Sequence, residues 1–236
     1  MDTPNLYIWI EKVHPTGCTF KQEVQALWDK LPTYPPNKAY LEALCHPPQP
    51  PHVIAQRMTA LGCLLQALDA VCPAALPHLT LHRAVGNKPF VTWSGVDALP
   101  LSFSLSHTQN MAVCALGVGM GDVGVDIEPV MSDERGAKIA QRFFTKEENA
   151  WLAMQESFGI GLGATRIWTA KEALFKCGGY GALLDCNTAC LGGEKQLLSG
   201  MLSDMVVSVC MSRDVIPQML ATPTPVLFQK TNFQIS

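Results

Sequence analysis

The chain has 236 residues, 17 Lys and Arg against 20 Asp and Glu for a net charge of -3, and 48% hydrophobic residues. That length buries a core without staples and suits one compact domain or two halves of about 100 residues each. The charge balance excludes the clustered basic face that duplex nucleic acid requires, so no nucleic-acid partner is expected.

Residues 6–10 predict a short apolar strand, and residues 20–31 carry Phe20, Val24, Leu27, Trp28 and Leu31 at helical spacing. The stretch from Cys45 to His52, Cys-His-Pro-Pro-Gln-Pro-Pro-His, reads as an extended linker because its prolines cannot continue a helix. His46 and His52 flank it at a spacing that matches no familiar metal-ligand set. Residues 54–71 form the strongest early helix, with Met58, Leu61, Leu64, Leu65 and Leu68 on one stripe and Pro73 as the stop. Short strands follow near residues 79–83, 90–93 and 101–105, the first two separated by the turn Gly86-Asn87-Lys88-Pro89.

Residues 111–116 and 123–128 are apolar-rich segments joined by a loop with three glycines, a pattern that predicts a β-hairpin. Within it Gly119 to Gly124 matches the dinucleotide fingerprint formally, but a strand follows and no helix N-terminus is offered to a pyrophosphate. Thr145-Lys146-Glu147-Glu148 is a capping box opening a helix through Trp151, Leu152 and Met154, and Glu148 is assigned to that cap. Gly159 to Gly163 reads as a loop, residues 169–177 as a helix ended by Gly178-Gly179, and residues 205–211 as a strand. Mixed elements of this kind indicate an α+β or α/β fold.

The nine cysteines show no Cys-x-x-Cys pair and no zinc-ligand rhythm, so most are expected to be reduced, buried apolar residues. No apolar run approaches about 18 residues and the first residues lack a signal-peptide pattern, from which a soluble cytoplasmic protein without membrane contact is expected.

Two segments carry the chemistry. In Gly124-Val125-Asp126-Ile127-Glu128 alternate side chains share a face, so Val123, Val125 and Ile127 are expected in the core while Asp126 and Glu128 emerge together. In Trp168-Thr169-Ala170-Lys171-Glu172-Ala173-Leu174-Phe175-Lys176, Glu172 and Lys176 lie one helical turn apart, and Lys171 points elsewhere, toward solvent. Taken alone, the first is an ordinary half-solvated strand and the second a surface Glu–Lys pair. Together they supply three carboxylates and a lysine, a set suited to holding Mg²⁺ against a diphosphate. Ser106-His107 ends a strand with two hydrogen-bonding groups for phosphate oxygens, and Lys88 sits on a proline-fixed turn that aims an ammonium. A hydrolase nucleophile is the weaker reading of Ser106, since the Gly-x-Ser-x-Gly elbow is absent.

Taken in order, Asn87-Lys88-Pro89, Phe103 to His107, Gly124 to Glu128, Arg142-Phe143-Phe144-Thr145 with Glu148, and Trp168 to Lys176 resemble the motifs of the 4'-phosphopantetheinyl transferases. The length resembles the surfactin-synthetase type. The resemblance implies an α+β fold of two similar halves, residues 1–118 and 119–236, related by a pseudo-twofold. Coenzyme A would lie in the cleft between them, with the metal-binding and catalytic motifs in the second half. It implies Asp126, Glu128 and Glu172 as Mg²⁺ ligands, Asp126, Glu172 and Lys176 as catalytic residues, and Arg57, Lys88, Ser106, His107 and Lys176 as the coenzyme A contacts. The implied reaction moves phosphopantetheine from coenzyme A to a serine of an apo acyl or peptidyl carrier protein. A monomer is expected, since one chain contains both halves. A catalytically silent coenzyme A or carrier-binding protein and a Mg²⁺-dependent nucleotide diphosphate hydrolase are the competing classes.

Overall fold

The computed structural model describes residues 5–13, 21–45, 49–82, 88–93, 101–108, 110–155, 159–178, 181–191, 195–212, 217–221 and 229–230. The fold is mixed α+β, in two compact units: Met1–Gly121 with Val215–Pro223, and Asp122–Asp214 with Thr224–Ser236.

In the first unit β1 (Asn5–Lys12), β4 (Leu101–His107), β5 (Met111–Val118) and β9 (Pro217–Ala221) form a sheet in the order β4-β5-β1-β9. All neighbours are antiparallel except β1 and β9, which run parallel. Helix α3 (Pro51–Val71) lies on this sheet. Pro51 at its first position donates no amide where none is needed, and the helix is buried through Ile54, Met58, Leu61, Leu65 and Leu68. These side chains meet Phe103, Ala112, Cys114 and Leu116 of the sheet, with Val24 and Leu27 of α1 (Gln22–Trp28) in the same core.

The region following α1 holds a helix that periodicity missed, α2 (Pro35–Cys45). Its burial rests on three side chains, Asn37, Tyr40 and Leu44, too sparse a stripe to read from sequence. Asn37 supplies direction instead. Its amide donates to the Pro32 and Leu79 carbonyls at 2.9 and 3.2 Å and its oxygen accepts from the Leu81 amide at 2.7 Å, tying α2 to β2 (Leu79–His82). β2 pairs with β3 (Phe90–Trp93) as a separate two-stranded ribbon.

The second unit is built on the sheet β10-β7-β8-β6, from β6 (Val123–Pro129), β7 (Gln196–Leu202), β8 (Met205–Met211) and β10 (Gln229–Lys230). The hairpin expected from residues 111–128 does not form: β5 pairs with β4 and β1, and β6 pairs with β8. Two apolar strands flanking a glycine-bearing loop look the same in sequence whether the loop closes a hairpin or passes from one sheet to another.

Helices α4 (Asp133–Phe143), α5 (Lys146–Ala153) and α6 (Gly159–Lys176) complete the unit, with α6 packed on β6 and β8. The expected loop at residues 159–163 is the first turn of α6. Its glycines serve close packing, since a Cβ on Gly161 would stand 2.1 Å from the Met131 carbonyl oxygen. Of the eight described cysteines, five are buried, and all are free thiols. Among the described residues no helix is long and apolar enough to cross a membrane. The prolines and histidine at residues 46–48 lie outside the described residues.

Candidate active site

Strand β6 places Gly124, Asp126 and Glu128 on one face, and this face lies beneath α6. The two carboxylates expected to emerge together share this covered face, with Asp126 buried and Glu128 half-buried. Gly124 allows the approach. A Cβ there would stand 1.9 Å from the Ala173 carbonyl oxygen and 2.6 Å from the Cys177 nitrogen, so the strand backbone abuts the helix backbone directly.

This contact brings the two motifs together. Lys176 Nζ donates to Asp126 Oδ1 at 2.7 Å and to the Val125 carbonyl at 3.2 Å. Glu172, one turn earlier on α6, feels both Asp126 and Lys176. Burial first, and then repulsion from Asp126, pushes its carboxyl above the usual range despite Lys176. Glu128 is pushed further, to about 7, by burial and then by Asp126 and Glu172, against the opposing pull of Arg135 and Lys176. Three carboxylates and one lysine thus share one electrostatic neighbourhood.

The helix is fixed there by directional contacts. Across the sheet, Asp126 is the register partner of Ser208, and Ser208 of Ser199. Thr169 Oγ1 meets Ser208 Oγ at 2.7 Å, and Ser208 Oγ meets Ser199 Oγ at 2.7 Å, all buried. A second network was mis-assigned in sequence. Lys171 is fully buried, not solvated, and its ammonium bonds Glu148 Oε1 and Oε2 at 3.1 and 3.0 Å and the Cys186 carbonyl. Glu148 does close the expected capping box with Thr145, and its carboxylate also accepts from the Thr188 amide and hydroxyl at 2.8 Å each. A Glu three residues after a Thr gave the cap; nothing local in sequence pairs Glu148 with a lysine 23 residues away.

The other sequence candidates lie in the first unit. Ser106 is buried and His107 half-buried at the end of β4, and strand parity with Phe103 in the core sets the two on opposite faces. Arg57 is half-buried on α3, and Lys88 half-buried just before β3. Asn87 lies outside the described residues.

As a cation site the second-unit acids have suitable chemistry. They offer hard carboxylate oxygen donors close to one another, the donor type Mg²⁺ selects, and burial followed by mutual repulsion raises Glu128 and Glu172, a strain that a bound cation would relieve. Among the described residues no three His, Cys, Asp or Glu side chains converge into a ready-made cage. Mg²⁺ is commonly held by one or two carboxylates with substrate phosphates and water filling the remaining positions, so such a donor set fits it without a cage.

Residues 122–191 match the family model described as the 4'-phosphopantetheinyl transferase superfamily. Among curated proteins the chain is 32% identical over 102 residues to 4'-phosphopantetheinyl transferase gsp of Aneurinibacillus migulanus, covering 43% of this chain and 39% of that one. It is 35% identical over 81 residues to 4'-phosphopantetheinyl transferase HetI of a Nostoc species, 34% of each chain. With 4'-phosphopantetheinyl transferase AcpT of Salmonella typhi the match is 28% over 157 residues, 63% of this chain and 74% of the relative. The first two matches therefore span well under half of the relatives' lengths.

Proposed function

We propose that this chain, a member of the 4'-phosphopantetheinyl transferase superfamily, transfers the 4'-phosphopantetheine group of coenzyme A to a serine hydroxyl of an apo acyl or peptidyl carrier protein, releasing 3',5'-ADP. The observation that carries the reading is the Lys176–Asp126 contact of 2.7 Å, which unites the strand motif and the helix motif around one acidic patch.

A serine hydroxyl is a poor nucleophile and the phosphorus it must reach is surrounded by negative charge, so positioning and charge neutralisation dominate the barrier. In the proposed step the serine oxygen bonds the phosphorus bearing pantetheine, and the bond to the bridging oxygen breaks and leaves with 3',5'-ADP. The resemblance assigns Mg²⁺ to Asp126, Glu128 and Glu172; one or two of these carboxylates with substrate phosphates and water would hold it, and when bound it would supply charge neutralisation at the diphosphate. Glu172, on a different element from Asp126 and Glu128, accepts the serine proton directly or through water. Lys176 stabilises the charge that accumulates on the leaving phosphate. The assignment of Arg57, Lys88, Ser106 and His107 to coenzyme A phosphates rests on the resemblance of their motifs. Carrier docking is assigned to α4 and its flanks, where Lys138 and Arg142 are exposed and Arg142 stacks over the Phe143 ring at 5.1 Å.

The test is incubation of the chain with coenzyme A, Mg²⁺ and an apo carrier protein, read by intact mass. A phosphopantetheinylated carrier supports the reading. Intact coenzyme A with an unmodified carrier points to a silent binding protein, and water-hydrolysed coenzyme A to a hydrolase. Asp126→Ala and Glu172→Gln are each expected to abolish transfer with the fold retained, and near-normal turnover by either removes the proposed role.

A further inference from the structure

We infer that the buried Glu148–Lys171 pair is a positioning device for α6, indexing the rotation of the helix that presents Glu172 and Lys176; the inference rests on the function proposed above. Both side chains are fully buried. Every ammonium hydrogen of Lys171 has an acceptor, in the two Glu148 oxygens and the Cys186 carbonyl. The Glu148 carboxylate in turn receives the Thr145 amide and both the amide and the hydroxyl of Thr188. Three separate pieces of chain, α5, α6 and residues 186–188, therefore meet at one charge pair.

A buried ion pair is a poor device for stability, because an apolar replacement of similar volume is often neutral or better. What the apolar replacement lacks is direction. Lys171 adjoins Glu172 in sequence, so the two point about 100° apart around the same axis and turn together. A rotation of about 20° displaces a group about 6 Å from that axis by about 2 Å. Such a movement would break the Lys171 hydrogen bonds and carry Glu172 away from Asp126 by a similar distance. Held at one face by Glu148 and at another by the Asp126–Lys176 contact, the helix has one rotational setting that satisfies both.

The experiment compares the wild-type chain with Lys171→Met, Glu148→Gln and the double variant. The double variant removes both charges and so avoids the stranded ion of either single change. Three quantities are measured: thermal unfolding, amide hydrogen exchange across residues 170–178, and steady-state transfer with coenzyme A, Mg²⁺ and an apo acyl carrier protein. The double variant is expected to unfold within a few degrees of wild type and to exchange faster at residues 170–178. Its kcat should fall roughly 10- to 100-fold, the scale of an ångström-level misplacement, with KM for coenzyme A within about twofold. Wild-type kcat and exchange in the folded double variant would overturn the positioning role. Failure of the double variant to fold would also overturn it, by making the pair a requirement of the fold itself. If the wild-type chain transfers nothing, the function proposed above fails, while the exchange measurement still decides whether the pair sets α6.

Discussion

Replacing Gly124 by alanine tests the geometry on which the acidic patch depends. The added Cβ would stand 1.9 Å from the Ala173 carbonyl oxygen and 2.6 Å from the Cys177 nitrogen, both backbone atoms that no side-chain rotation can move. Ordinary van der Waals contact begins near 3.4 Å, so β6 and α6 must separate by about 1.5 Å, the difference between 3.4 and 1.9 Å. Overpacking of this kind costs typically about 1–3 kcal/mol, which for a chain of this size lowers the melting temperature by about 2–12 °C. The same separation draws Glu172 and Lys176 off Asp126, and a displacement of about 1 Å at reacting groups costs about 100-fold in rate. Differential scanning calorimetry and carrier phosphopantetheinylation followed by mass measure the two effects. Gly62→Ala is the control: a Cβ there meets only Val24 side-chain carbons at 3.4 and 3.5 Å, and removing a mid-helix glycine gains about 0.5–1 kcal/mol. A Gly124→Ala chain with wild-type melting and turnover would refute the claim that direct backbone contact assembles the site.

Lys171→Ala should destabilise the chain by about 3–5 kcal/mol, because it strands the Glu148 carboxylate in the core. Asp69→Ala, which removes an exposed pair with Lys30, should cost under about 1 kcal/mol in the same urea titration; equal losses would contradict the burial argument. Thr145→Ala deletes the hydroxyl that accepts the Glu148 amide and should cost about 1 kcal/mol, seen as a lower urea midpoint at unchanged slope. Chelation of divalent ions should stop transfer, and added Mg²⁺ should restore it; full activity in excess chelator would remove the metal from the proposed mechanism.

The motif-bearing strand and helix were legible because each follows a single period, two for residues 123–128 and about 3.6 for residues 169–176. The capping box at Thr145 was legible for the same reason, since its two partners are three residues apart. What failed were inferences about neighbours distant in sequence. The loop with three glycines gave no sign that β6 pairs with β8, some 80 residues on. The glycines at 159–163 look like breakers until Met131 is seen against Gly161. Lys171 reads as solvated when its helix face is set only by Glu172 and Lys176, whereas α6 is covered on more than one side and the covering residue, Glu148, lies on another helix. The acidic character of the site was readable, but the burial that shifts Glu128 upward was not, since it depends on how closely α6 descends on the strand.

The row of hydroxyls from Ser199 through Ser208 to Thr169 gives the sheet an unusual way to hold its helix. Apolar side chains tolerate sliding, because one methyl substitutes for another along a greasy seam. Three hydroxyls sealed from water do not: a shift of α6 by a single residue would carry Thr169 off Ser208 and lose that bond, a net loss of about 0.5–1.5 kcal/mol, although Ser208 keeps Ser199 and Thr169 the carbonyls of its own helix. The sheet therefore works as a ratchet tooth for the helix, resisting travel along its axis where hydrocarbon alone would permit creep.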